Sequence, residues 1–173
     1  GADLIRTNKL FMFGISFVTL GFCFKVSIVP FHAWTPDVYQ GAPTPHTAFM
    51  ATAVKLVSFA ALLRVIATKA LVGSDGLFVV LQWLAVITML VGNLGAIVQT
   101  NLKRMLAYSS IAHSGYILVG VITAGISDKG FFGASSVIFY LFSYCVMTIG
   151  TFAIVSILEK SEDHLVTLDS LKG

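Results

Sequence analysis

Five long apolar stretches alternate with short polar ones along the chain, near residues 9–29, 45–66, 77–98, 102–124 and 132–158. Each holds about 20 or more residues, enough to cross a hydrocarbon core of roughly 30 Å as an α-helix. The connections 68–76 and 125–131 are short, polar and contain glycine, so successive helices are expected to run antiparallel. All four prolines fall within the sixteen residues from Pro30 to Pro45, so a Pro-rich turn follows the first stretch. Thr44 then reads as the N-cap of the second helix and Pro45 as its first helical residue, where a missing N–H costs nothing. Glu159–Gly173 is charged and reads as an amphipathic connector.

Composition agrees with this pattern. The chain is 57% hydrophobic and 11% charged, against roughly 25% charged residues in soluble domains. The fold class is an all-α polytopic membrane protein, with residues 1–173 forming part of one transmembrane domain. The net charge of +3 is spread over the connections, which gives no support for nucleic-acid binding. Cys23 and Cys145 lie in apolar spans without metal-type spacing and read as small hydrophobes. A first residue that is Gly1 and a pattern interrupted at Gly173 read as an internal piece of a longer protein. The distribution of Lys and Arg places the Pro-rich turn, the Lys103–Arg104 turn and the C-terminal tail on the cytoplasmic side, by a small margin because Arg6 and Lys9 lie opposite. Trp34 and Tyr39 in the Pro-rich turn suit the aromatic belt of an interface.

Charge position carries the chemistry. Of eleven Lys and Arg, only Lys25 and Lys55 lie well inside apolar runs. A rise of 1.5 Å per residue puts Lys55 about 15 Å beyond Pro45, close to the bilayer midplane, and carries Arg64 to the far interface, where it snorkels. An ammonium group at midplane costs roughly 2.5–3.5 kcal/mol on insertion scales, so such lysines mark functional sites; the competing roles are snorkelling and lipid-phosphate binding. Lys25 stands five residues before Pro30, whose ring removes a helical hydrogen bond and frees the carbonyl of Val26. The first helix is therefore expected to break near Lys25–Pro30, and a break at membrane depth is tolerated only inside protein or along a wet cavity.

No Asp or Glu falls inside the five spans, so a carboxylate partner for either lysine must come from elsewhere. At a separation of about 8 Å and an effective dielectric of about 20, the two lysines would repel by about 2 kcal/mol. A neutral lysine beside a charged one can accept a proton and pass it on. Ser109, His113 and Tyr116 share one face of the fourth span, with Ser110 and Ser114 beside them; Ser136, Tyr140, Ser143, Tyr144, Thr148 and Thr151 form a stripe on the fifth. Such groups can hold a file of water. The serines and threonines fit helix–helix contacts better, whereas His113 reads as a relay group. Gly92, Asn93, Gly95 and Ala96 form a close-packing face, Gln82 and Gln99 lie near span ends, and His32 reads as a hydrogen-bonded structural residue of the turn. No nucleotide, zinc-protease or haem motif is present, and nothing points to a bound cofactor or metal in this chain.

The segments FKVSIVPFHAWTPDVYQGAPTPHTAFMATAVK, NLKRMLAYSSIAHSGY and FYLFSYCVMTIGTF closely resemble the subunit-N type of the antiporter-like membrane subunits of proton-pumping NADH–quinone oxidoreductase, respiratory complex I. The resemblance covers essentially all 173 residues. PFHAWTPDVYQGAP is its most specific segment, whereas LKRMLAYSSI is shared across the antiporter-like group. It implies a proton-translocating subunit (a translocase) in the bacterial plasma membrane, with other membrane subunits of the complex as partners and the redox and quinone chemistry in other chains. It also implies that Lys25 is the lysine of a broken seventh helix and Lys55 the central-axis lysine of the eighth. Larger antiporter-like subunits carry histidines where this chain has Tyr140 and Tyr144, which argues against a cation/proton antiporter subunit. The proton-transfer set expected from residues and resemblance together is Lys25, Lys55, His113, Tyr140 and Tyr144, with the helix break at Pro30. His46 departs from the small or aliphatic residue expected there.

Overall fold

The computed structural model describes residues 9–66, 75–126, 130–162 and 167–168. These fold into helices α1 (Lys9–Lys25), α2 (Trp34–Gly41), α3 (Thr44–Ile66), α4 (Asp75–Ile97), α5 (Leu102–Ile126) and α6 (Gly130–Glu162). Four of them, α3 to α6, are long and apolar enough to cross a membrane, and α1 is a shorter apolar helix. The connection charges Arg6, Lys69, Asp128 and Lys129, and tail residues 163–166 and 169–173, lie outside the described residues.

The first span breaks where expected, by a mechanism the proline alone does not supply. Helix α1 ends at Lys25, and Ser27 adopts φ 65° in the left-handed region. The Ser27 amide donates to Phe24 O at 3.2 Å and the Ile28 amide to Cys23 O at 2.8 Å. That pair of bonds is the Schellman ending of a helix, here with serine where glycine is usual. Buried Ile28 and Cys23 share one hydrophobic cluster, the apolar contact that accompanies such an ending. The Ser27 hydroxyl in turn lies 2.6 Å from Thr35 Oγ1. Pro30 follows in the turn, and α2 begins after it at Trp34.

The turn is deep, which corrects its expected place at the membrane surface. Val26, Ser27 and Ile28 are fully buried. The Val29 amide donates to Thr88 Oγ1 at 3.0 Å, halfway along α4, and the Val26 carbonyl accepts from Ser114 at 2.7 Å, halfway along α5. Backbone freed at membrane depth is thus satisfied by polar side chains of neighbouring spans. Tyr39 is buried against Phe152, Ala51 and Ala107, so it does not belong to an interfacial belt. Trp34 is half-buried, its indole N–H donating to Phe24 O at 3.3 Å.

Helix α5 is the centre of the bundle, buried on most of its circumference, while α4 and α6 present Trp83, Leu90, Phe139 and Phe142 outward. Small residues let α4 approach it. A Cβ on Gly92 would lie 2.5 Å from the Ala112 backbone nitrogen, and one on Gly115 would lie 2.7 Å from Met89 Cγ. The ring of Tyr108 fills the space over Gly95. Packing by small residues is the usual way helices associate in lipid. Asn93 adds a polar contact to this face, donating from Nδ2 to Tyr116 OH at 2.9 Å.

The Pro-rich segment, the start of α5 and the end of α6 meet at one end of the bundle, as the expected same-sidedness requires. Lys103 pairs with Glu159 at 3.0 Å and donates to Ala42 O at 3.0 Å, and Arg104 pairs with Asp37 at 2.5 Å. Thr44 is not an N-cap: α3 begins at Thr44 itself, Pro43 occupies the cap, and the Thr44 hydroxyl donates to Glu159. The last span continues to Glu162, so Glu159 lies on a helix rather than in a connector. The Leu168 amide donates to Thr100 O at 3.0 Å, closing this end.

Candidate functional site

The site grows from a distortion in α3. Residues Met50–Val54 form a π-helical segment that ends immediately before Lys55. An inserted residue of this kind re-aims the side chains that follow it, and such segments recur at functional positions. Here it precedes a lysine that is only 2% exposed.

The Lys55 ammonium has three protons and finds three oxygens, all on α5. Nζ donates to Ser110 O at 2.5 Å, Ser110 Oγ at 2.6 Å and Ser114 Oγ at 2.7 Å. It also stands 5.9 Å from the centre of the Tyr144 ring, within reach of a cation–π attraction. None of its partners among the described residues is a carboxylate. Among the described residues, the ion pairs Lys103–Glu159 and Arg104–Asp37 belong to the polar end of the bundle.

Beyond the lysine, hydroxyls and one imidazole continue the polar path. The Tyr144 hydroxyl donates to Ser110 Oγ at 3.0 Å. His113 Nδ1 lies 2.7 Å from the Tyr140 hydroxyl, and the His113 and Tyr144 rings are 5.1 Å apart. A small cavity of about 40 Å³ is lined by Ser109, Ser110, His113, Tyr144, Thr148 and Thr151, among others. That volume and polarity suit water, which needs roughly 10–15 Å³ of such space and several polar partners.

The structure therefore brings together Lys55, His113, Tyr140 and Tyr144. Lys25 is absent from this cluster: its side chain is exposed at the end of α1, and none of the Lys55 hydrogen bonds reaches it. It sits beside the break, one residue from the Val26 carbonyl that Ser114 occupies. The fifth-span stripe is only partly a lining. Ser136 and Thr151 donate to carbonyls of their own helix, and Ser143 is exposed. Arg64 is exposed towards the far end of α3, Gln99 donates to Gly95 O, and Gln82 and His46 are exposed. His32 Nδ1 is buried without a partner among the described residues, while its carbonyl accepts from the Thr35 amide at 3.0 Å.

Sequence reasoning passed over three functional features. Ser110 and Ser114 were assigned to helix contacts, although their i, i+4 spacing on the His113 helix offers two hydroxyls to one neighbour. Lys103 is only 7% exposed and ion-paired, although it stands at the polar end of a span, two residues after Asn101. The π-helical segment has no signature in residues 50–54.

Comparison with known proteins matches this architecture. Residues 2–173 match the model of the family described as "NADH:quinone oxidoreductase/Mrp antiporter, TM". The NADH-quinone oxidoreductase subunit N of Bdellovibrio bacteriovorus is 72% identical over 172 residues, which are 99% of this chain and 35% of that protein. The corresponding protein of Salinibacter ruber is 51% identical over 98% of this chain and 33% of its own length. A chain in the structure of respiratory complex I from Thermus thermophilus, with bound aureothin, superposes with a TM-score of 0.70 at 41% identity, over 86% of this chain and 31% of that one. The chain thus spans about a third of the length of the relatives it matches. With a family model that covers nearly every residue, the chain belongs to the NADH:quinone oxidoreductase/Mrp antiporter transmembrane family.

Proposed function

We propose that the full-length protein is a proton-translocating membrane subunit of an NADH–quinone oxidoreductase, working beside other membrane subunits of that complex in a bacterial plasma membrane. The observation that carries this reading is Lys55, a buried amine held by three neutral oxygens at the centre of a membrane bundle. A paired lysine is locked in its charged form by its carboxylate. An amine held by hydroxyls and a carbonyl keeps the option of releasing its proton, because the same oxygens serve either form. Tyr144, the small polar cavity, His113 and Tyr140 then provide a route away from it, and Lys25 stands beside the helix break as a second charged group. We place the redox chemistry in other chains and assign no cofactor or metal to this one.

The family's description joins the oxidoreductase with cation/proton antiporters, so an antiporter subunit is the second reading. Tyr140 and Tyr144 favour the first, by the histidine-to-tyrosine difference that the sequence resemblance implies. Inverted membrane vesicles energised with NADH decide between them. Acidification should be equal with and without sodium. An absolute sodium requirement would establish the antiporter reading instead.

A further inference from the structure

Among the described residues, one hydroxyl bonds both the helix break and Lys55. Ser114 is fully buried on α5, accepts from Lys55 Nζ at 2.7 Å and donates to Val26 O at 2.7 Å. A further contact, with Ser110 O, is longer at 3.1 Å. A hydroxyl has one proton, so it can satisfy one acceptor well.

We propose that Ser114 is a positioning residue that couples Lys55 to the broken first span, through a hydroxyl whose proton serves either the Val26 carbonyl or the lysine. The proposal rests on Lys55 being a proton carrier, as argued above. While Lys55 is an ammonium, its three protons occupy Ser110 O, Ser110 Oγ and Ser114 Oγ, so Ser114 can only accept from it and turns its own proton to Val26. Once the amine has released a proton it carries a lone pair and two N–H groups for the same three oxygens. Of those three, the Ser110 carbonyl has no proton to give, and either hydroxyl can turn its O–H onto the nitrogen. Ser114 is the one of the two whose turn is felt by the first span, because its proton otherwise serves Val26. The fully buried Val26 carbonyl then loses its donor, and the helix ending at Lys25–Ile28 loses the bond that ties it to α5. The groups around Lys55 that themselves titrate are Tyr144 on α6, Tyr39 on α2, which hydrogen-bonds the Ser110 side chain, and, beyond them, His113 on α5. Ser114 bonds both Lys55 and Val26, so the coupling runs through its hydroxyl.

The test uses the full-length subunit in its membrane complex, with protons moved per NADH oxidised measured in inverted vesicles. Ser114→Ala should lower that ratio about two- to tenfold, the range expected for loss of one net hydrogen bond. Ser114→Cys, close in size but a weak donor, should fall with it, and Ser114→Thr should recover most of the ratio. Hydrogen–deuterium exchange of the segment 26–31 should rise in the Ala and Cys variants, a readout that relay through Lys55 alone would not move. Wild-type ratio and wild-type exchange in Ser114→Ala would overturn the inference. Equal losses in assembled Ala and Thr variants would also overturn it, because packing would then explain both. Should Ser114→Thr fail to assemble, the exchange of 26–31 in Ser114→Cys decides alone. Lys55→Ala serves as the control: a wild-type ratio there removes the underlying reading, whereas a low ratio there with a normal Ser114→Ala removes this inference only.

Discussion

Lys55 and Ser110 meet twice, the ammonium donating to the serine carbonyl at 2.5 Å and to its hydroxyl at 2.6 Å. One residue thereby supplies two of the three oxygens that make a charge tolerable in a membrane interior. Because both acceptors are neutral, the arrangement stabilises the ammonium less than an ion pair would, and that difference is what a carrier of protons needs.

The serine at the helix break combines a cost with a gain. Its left-handed backbone costs roughly 1–2 kcal/mol for a residue with a Cβ, while its hydroxyl bonds to Thr35. Ser27→Gly should therefore be close to neutral, since relief of the backbone offsets the lost bond. Ser27→Ala keeps the strain and loses the bond, and should destabilise by about 1 kcal/mol. Thermal unfolding of the detergent-solubilised protein ranks the three, with the wild type and Gly variant above Ala; an Ala variant as stable as the wild type would contradict this.

At the polar end, Glu159 serves both Lys103 and Thr44. Glu159→Gln leaves Lys103, only 7% exposed, without its counter-charge, and uncompensated buried charge is costly by about 3–5 kcal/mol in full burial. The site is partly open on the Glu159 side, so a smaller loss of about 1–2 kcal/mol is expected, read as reduced assembly or earlier unfolding. Replacing both residues, Lys103→Met with Glu159→Met, should recover part of it. A double variant worse than Glu159→Gln would contradict the assignment.

Helix α4 depends on contact with α5 through glycine. Gly92→Leu would drive a side chain into the Ala112 backbone, which cannot yield as a flexible side chain would. The expected result is loss of assembled protein in membranes, judged by immunoblot of solubilised complex. Gly14→Leu, at a position open to its surroundings, should assemble normally. Normal assembly of Gly92→Leu would show that this packing is dispensable.

Much of this architecture was legible in the residues, and the boundaries show why. Four spans, 45–66, 77–98, 102–124 and 132–158, correspond to α3–α6 within a few residues, because unbroken apolar length is a strong signal in a membrane chain. The break near Lys25–Pro30 was legible from proline chemistry, and the carbonyl of Val26 that Pro30 leaves free is the one found bonded to Ser114. Depth was not legible. A cluster of prolines and polar residues reads as a surface turn unless one knows that Thr88 and Ser114, 59 and 88 residues further on, reach its backbone. The burial of Tyr39 follows from the same long-range packing. Lys55 stood out because a charge in an apolar run is rare. Ser110 and Ser114 did not, because serine in a membrane helix has many ordinary uses.

The central claim is that Lys55 carries a proton and does not merely hold a charge, and Lys55→Arg tests it most directly. Arginine keeps the positive charge and can still donate to Ser110 and Ser114, but its guanidinium does not release a proton at accessible pH. NADH-driven proton movement by assembled complex in inverted vesicles should fall about tenfold or more, as expected when a positioned proton-transfer group is lost. Lys55→Ala should fall as far. Wild-type proton movement in Lys55→Arg, with failed assembly in Lys55→Ala, would make Lys55 a structural charge and contradict the account.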